Sequence, residues 1–216
     1  MERRTVEAVV FDMDGTLIDS SNVIPAAYIL CIEAAGGPSY TADEIVAAYT
    51  VGPPSAMLTH LLGRPSTPAE VDDYHTRLER LAVELTVYPG VEETLARLAS
   101  RIPLGVFTGA SIRACRILLG AVGLVPRFAA LVGGDEVARS KPFPDGILEA
   151  CRRIGVHPHD AAYVGDAPYD LAAARNSGAL ALAAGWGHQY QPGEPSDGVL
   201  EHPSDLFDHV SARQPS

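Results

Sequence analysis

The chain has 216 residues, 47% of them hydrophobic, and carries 27 acidic against 16 basic side chains for a formal charge of −11. That apolar content suffices for a core domain with a smaller inserted one, and the acidic balance argues against a surface made for nucleic acid or anionic membrane. No stretch approaches the ~20 apolar residues of a membrane span, and Cys31, Cys115 and Cys151 form no C-x-x-C pair, so reduced core thiols and a cytoplasmic protein are expected.

Residues 6–11 read as a buried strand, because β-branched and aromatic residues follow one another without polar alternation. The run is too short and too interrupted by acids for a signal peptide. Residues 22–35, 42–49, 54–62 and 68–85 then show helical spacing, with no strong strand between them. Asp43 and Glu44 fit a first helical turn, and Thr67-Pro68 is a helix start. After Tyr88-Pro89-Gly90 the pattern alternates: helix 91–99, strand 102–107, helix 111–121, strand 129–132, helix 145–154, strand 161–164, helix 171–176, strand 180–184 and a closing helix 204–209. Residues 211–216 are expected to fray. Such alternation predicts right-handed βαβ units, hence an α/β, doubly wound, Rossmann-like core whose parallel sheet is covered on both faces. Residues 1–19 and 87–216 are assigned to that core, and 20–86 to an inserted α-helical cap.

In open α/β sheets ligands bind beyond the carboxyl ends of the strands. Asp12, Thr108 and Asp166 each follow directly on a predicted strand, so parallel strands bring them to one edge. Asp12 and Asp14 lie on the same side of extended chain. Such a pair suits divided labour, one acid attacking while its neighbour carries a proton; Asp14-Gly15 between apolar runs reads equally well as a hairpin turn. Thr108-Gly109 offers a hydroxyl and open backbone N–H groups ahead of a helix, an anion cradle, although Ser111 as a plain helix cap explains the same pattern. Lys141 is the one lysine beside fifteen arginines, and a retained lysine points to a compact charge between carboxylate and phosphate; a solvated loop lysine is the bland alternative. Asp166 and Asp170 fit a helix cap and a first-turn acid, and are compatible with a hard cation such as Mg²⁺ shared with Asp12. His157, His159 and Arg113 read as surface, Trp186, Gly187 and His188 as a rim or packing group, and Gly52-Pro53-Pro54 as helix punctuation.

Phe-Asp-Met-Asp-Gly-Thr-Leu-Ile-Asp at 11–19, Thr108-Gly109, Lys141-Pro142 and Gly165-Asp166-x-x-x-Asp170 resemble, in order, the four signature segments of the haloacid dehalogenase superfamily. The likeness spans nearly the whole chain and is closest to its phosphoglycolate phosphatase-like group with a small helical cap. It implies a Mg²⁺-dependent phosphatase acting on a small phosphorylated metabolite: Asp12 as nucleophile, Asp14 as acid and base, Thr108 and Gly109 with Lys141 on the phosphate. Asp12, Asp14 (through its carbonyl) and Asp166 are implied as metal ligands, with Asp170 in support. Ala110 stands where the family frequently has Asn or Ser. The second acid disfavours carbon–halogen hydrolysis, and the absence of a cap lysine disfavours Schiff-base chemistry. Gly15-Thr16 favours hydrolysis over a phosphomutase on the same scaffold; a non-catalytic phosphate-binding module is the other alternative. The cap segment holds Arg64, Arg77 and Arg80 against eight acids, which fits a small substrate better than a large polyanion.

Overall fold

The computed structural model describes residues 4–210. In chain order these form β1 (Ala8–Phe11), β2 (Ile18–Asp19), α1 (Val23–Ala34), α2 (Ala42–Ala47), α3 (Pro54–Leu62), α4 (Pro68–Leu81), β3 (Thr86–Val87), α5 (Val91–Ala99), β4 (Leu104–Phe107), α6 (Ile112–Ala121), β5 (Ala130–Val132), α7 (Asp145–Ile154), β6 (Ala161–Gly165), α8 (Pro168–Ser177), β7 (Leu180–Ala184) and β8 (Gly198–Leu200). Six strands make one sheet in the order β5-β4-β1-β6-β7-β8, every pair parallel.

The unbroken apolar strands follow from that burial. Alternate side chains of β1 go to opposite faces: Val9 and Phe11 join the interior shared with α5 and α6, while Ala8 and Val10 meet Ile147 and Ala150 of α7 and Ala173 of α8. Both faces are covered, so neither calls for polar residues.

Between β2 and β3 the chain leaves the sheet for α1–α4 and returns. These two short strands pair antiparallel, Ile18 with Val87 and Asp19 with Thr86, so exit and re-entry lie side by side. α2 and α4 begin at Ala42 and Pro68, where the sequence places helix starts, and there Thr41 and Glu44, and likewise Thr67 and Glu70, exchange reciprocal capping bonds. Two contacts tie α4 to α6. His75 Nε2 lies 2.9 Å from Ser111 Oγ, and Arg113 is paired with Asp72.

Several boundaries differ from expectation. Regular pairing begins at Ala8, and Val6 bridges Val210 instead. The helix begun at Pro68 closes at Leu81 with one 3₁₀ turn after it, Ala82–Glu84; likewise α2 ends at Ala47 and Tyr49–Val51 is a 3₁₀ turn. The closing segment Pro203–Asp208 is 3₁₀, not α-helix. Burial of Leu206 with Arg97 over the Phe207 ring holds the segment in place. β8 was not expected from the sequence, and 211–216 lie outside the described residues.

Candidate active site

Strand order sets the site. From β1 the chain runs outward to β4 and β5, then crosses back to β6, β7 and β8 on the other side. β1 is thus the reversal point, where the carboxyl ends of neighbouring strands leave a crevice. Asp12 follows β1, Thr108 follows β4 and Asp166 follows β6, so all three line this edge. Asp170 sits in the first turn of α8, and Lys141 lies ahead of α7.

The lone lysine spans the crevice. Its ammonium is paired with the Asp12 carboxylate and, at 2.7 Å, with Asp170 Oδ1. All three are buried. Asp170 is itself fixed by the Ala167 N–H at 3.1 Å, so the ammonium is aimed by a carboxylate that cannot turn away. Burial opposes the charge on Lys141, but Asp12 and Asp170 outweigh it and hold the lysine protonated. Burial also drives Asp12 well above the ordinary carboxylate range, Lys141 pulling it down while Asp170, Asp14 and Asp166 push it up. Four carboxylates crowd around one ammonium that pairs with only two of them, and in a buried setting that crowding is costly.

Asp166 shows what would relieve it. Its Oδ2 accepts the Gln189 N–H at 2.8 Å, while its Oδ1 is buried with no hydrogen-bond partner. Burial, with Asp170 adding to it, raises its pKa to about 7. Carboxylate oxygens of Asp12, Asp166 and Asp170 lie within 4.8 Å of one another. An orphaned oxygen in an all-oxygen cluster fits a hard divalent cation. The Asp14 carboxylate is not in that cluster.

Two glycines make room for Asp166. A Cβ on Gly15 would lie 2.3 Å from Asp166 Oδ2, and Gly15 also holds a left-handed φ of 82°. That conformation turns the chain, the Gly15 N–H reaching the Ile18 carbonyl at 3.0 Å. Asp14-Gly15 is therefore a tight turn at the strand end, and the strand that follows pairs with β3 rather than back onto β1. A Cβ on Gly187 would lie 2.2 Å from Asp166 Cβ, so the loop after β7 presses on the same carboxylate. Beside it, Trp186 Nε1 donates to the Thr16 carbonyl at 2.9 Å, and the Tyr88 hydroxyl lies 3.1 Å from His188 Nδ1.

Asp14 points into the pocket and receives the Ser20 hydroxyl at 2.6 Å. Burial raises its pKa to about 6, against the lowering effects of Ser20 and Lys141. Thr108 is buried, and its Oγ1 accepts the Ala110 N–H at 3.1 Å. Ser111 caps α6 through the Ala114 N–H. Arg113 is taken up by Asp72, and His157 and His159 sit on the turn before β6.

A cleft of about 730 Å³, counted to its open mouth, joins these groups to the helices above. Asp12, Asp14, Thr108, Gly109 and Lys141 form its floor; Tyr28, Tyr49, Met57 and Tyr74 form the opposite wall. The sequence did not single out that wall, Ser20 or Gln189. The tyrosines sit in helical apolar patterns indistinguishable from core, and Gln189 acts through its backbone.

The haloacid dehalogenase-like hydrolase family matches residues 6–178. The chain belongs to this family. It is 33% identical to a phosphoglycolate phosphatase of Chromobacterium violaceum over 96% of this chain and 98% of that one. It is also 29% identical to an N-acetylmuramic acid 6-phosphate phosphatase of Pseudomonas aeruginosa, over 96% of each. Among solved structures, CbbY from Rhodobacter sphaeroides in complex with phosphate shares the fold at TM-score 0.80 and 24% identity, covering 94% of this chain and 96% of that one. Family membership and these relatives make the chain a phosphoric monoester hydrolase.

Proposed function

We propose that the protein hydrolyses the phosphate monoester of a small metabolite through a phosphoaspartyl intermediate on Asp12, with Mg²⁺ as cofactor. The observation that carries this reading is the geometry around Asp12: a buried carboxylate, held by a fixed ammonium, beside an orphaned oxygen of Asp166 and facing an open cleft.

Asp12 attacks phosphorus and the ester oxygen leaves. Lys141, held between Asp12 and Asp170, neutralises charge on the phosphoryl oxygens as they approach. The Thr108 hydroxyl and the N–H groups that follow it receive the other oxygens. Asp14, with a pKa of about 6, is poised near neutrality to give a proton to the leaving oxygen and then to take one from water. Asp12, Asp166 and the Asp14 carbonyl would hold Mg²⁺, which when bound supplies positive charge to the phosphate and steadies Asp12. Residues 20–86 serve as a cap over the cleft, tied to α6 by the His75–Ser111 and Asp72–Arg113 contacts. The free thiols of Cys31, Cys115 and Cys151 fit a reducing, cytoplasmic setting.

The relatives' names make phosphoglycolate the first ester to try. The test is phosphate release with Mg²⁺ from a broad panel of phosphate esters, wild type beside Asp12→Asn. Turnover by wild type and a loss of about 10³-fold or more in the variant support the reading. No turnover of any ester, or full activity in a folded Asp12→Asn, overturns it. Free phosphate without an isomeric sugar phosphate excludes the phosphomutase.

A further inference from the structure

Resting on the phosphatase reading above, we infer that the cleft selects monophosphates whose leaving alcohol is uncharged, offering hydroxyls and an apolar face as a sugar or polyol does, and that it disfavours esters carrying a second anion.

The wall facing the catalytic floor decides this. Tyr28, Tyr49 and Tyr74, with Ile24 and Met57, line it, and among the described residues lining the cleft Lys141 is the one cation. That ammonium is already shared by Asp12 and Asp170 and is the natural partner of the phosphate. Of the arginines of the helical segment, Arg64 is paired with Glu70 and Arg77 with Asp73, and Arg80 is not among the residues lining the cleft. His75 is turned to Ser111 and the Val71 carbonyl. A carboxylate or second phosphate on the substrate would therefore enter a buried space rich in carboxylates, with no further cationic side chain among the described residues lining it.

What the wall offers instead is neutral. Tyr28 and Tyr74 stack with ring centroids 4.2 Å apart, giving a flat apolar surface with polar tips. Burial, with the nearby Asp14 charge adding to it, keeps the Tyr28, Tyr49 and Tyr74 hydroxyls protonated. Thr50, Ser140 and Gln189 add uncharged polar groups around the opening. Hydroxyls satisfy such a wall without leaving a buried charge unpaired.

The test uses matched esters as competitors of p-nitrophenyl phosphate turnover with Mg²⁺. One pair is 2-phosphoglycolate and 2-hydroxyethyl phosphate, which differ by a carboxylate against a hydroxymethyl group. The other is 6-phosphogluconate and glucose 6-phosphate. In both pairs the uncharged leaving group should compete about tenfold or more tightly. Equal or better competition by the carboxylate member of either pair overturns the inference while leaving the phosphatase reading standing; failure to hydrolyse p-nitrophenyl phosphate or any ester removes that reading itself. Tyr49→Arg should narrow or reverse the preference in the first pair, and Thr50→Lys at the exposed edge of the same wall is the alternative should Tyr49→Arg not fold. An unchanged ratio in a folded variant of either kind also overturns the inference.

Discussion

Replacing Gly187 by alanine tests whether the loop after β7 holds Asp166 in place. The added Cβ would lie 2.2 Å from Asp166 Cβ, 2.5 Å from the Gly15 carbonyl oxygen and 2.6 Å from Asp166 Oδ2. Carbon atoms rest at about 3.5–4.0 Å, so Asp166 or the loop must move by more than ~1 Å. Gly187 has no left-handed φ, so crowding and not backbone strain is what alanine introduces. Overpacking of this kind costs about 1–3 kcal/mol. For a chain of this size that lowers Tm by about 2–12 °C at ~2–4 °C per kcal/mol. A displacement near 1 Å in a catalytic constellation costs on the order of 10²-fold in rate. Steady-state kinetics against Mg²⁺ concentration, paired with thermal melting, should show reduced kcat/KM and a raised Mg²⁺ requirement. Gly120→Ala is the control: it lies on α6 with nothing within 4 Å of an added Cβ, and should leave activity intact while gaining up to about 1 kcal/mol. A folded Gly187→Ala protein with wild-type kinetics and metal requirement would refute the reasoning.

Mg²⁺ should stabilise the protein, because Asp166 Oδ1 is buried unpaired without it. At a hundredfold excess over Kd the gain is about 2.7 kcal/mol, read as a rise in Tm that chelator reverses and Asp166→Asn removes; an equal rise in that variant contradicts the assignment. His75 gives a pH prediction. Burial lowers its pKa, with Arg113 contributing in the same direction, so the folded state disfavours its protonation. Stability is lost as pH falls below the ordinary histidine value of about 6.5 toward the lowered one. The raised carboxylates Asp14 and Asp166 act in the opposite sense, so the informative quantity is the difference between wild type and His75→Gln in denaturant melts from pH 7.5 to 5.5. Wild type should lose ground to the variant as pH drops, and a constant difference counts against the buried, neutral histidine. Lys141→Met leaves Asp12 and Asp170 without their shared ammonium and should cost about 3–5 kcal/mol along with activity; a variant as stable as wild type would show that the pair is not held as described.

The α/β core and the floor of the cleft were legible because their signals are local. Strand-end acids after apolar runs, a single lysine and a Thr-Pro helix start can be read without knowing what touches them. β8 was not legible, since Gly198-Val-Leu is too short to show a period, and its place depends on the Asp197 carboxylate taking the Ala181 N–H at 2.8 Å across the sheet. The expected closing α-helix became 3₁₀ for a related reason, its packing on α5 outweighing propensity. Ser20 and the tyrosine wall were missed because serine before a helix and tyrosine on a helical apolar face carry the same pattern whether they serve a site or a core. Gly187 stood out only as a neighbour of Trp186, since its closeness to Asp166 links residues from separate strand ends.

The central claim is a covalent phosphoryl group on Asp12. Rapid acid quench of the protein turning over an ester in Mg²⁺, followed by peptide mass spectrometry, should find the mass of one phosphoryl group on the peptide holding Asp12, labile to hydroxylamine and absent from Asp12→Asn. Turnover that proceeds at full rate with no such adduct at any quench time, or an adduct on another residue, would contradict the account.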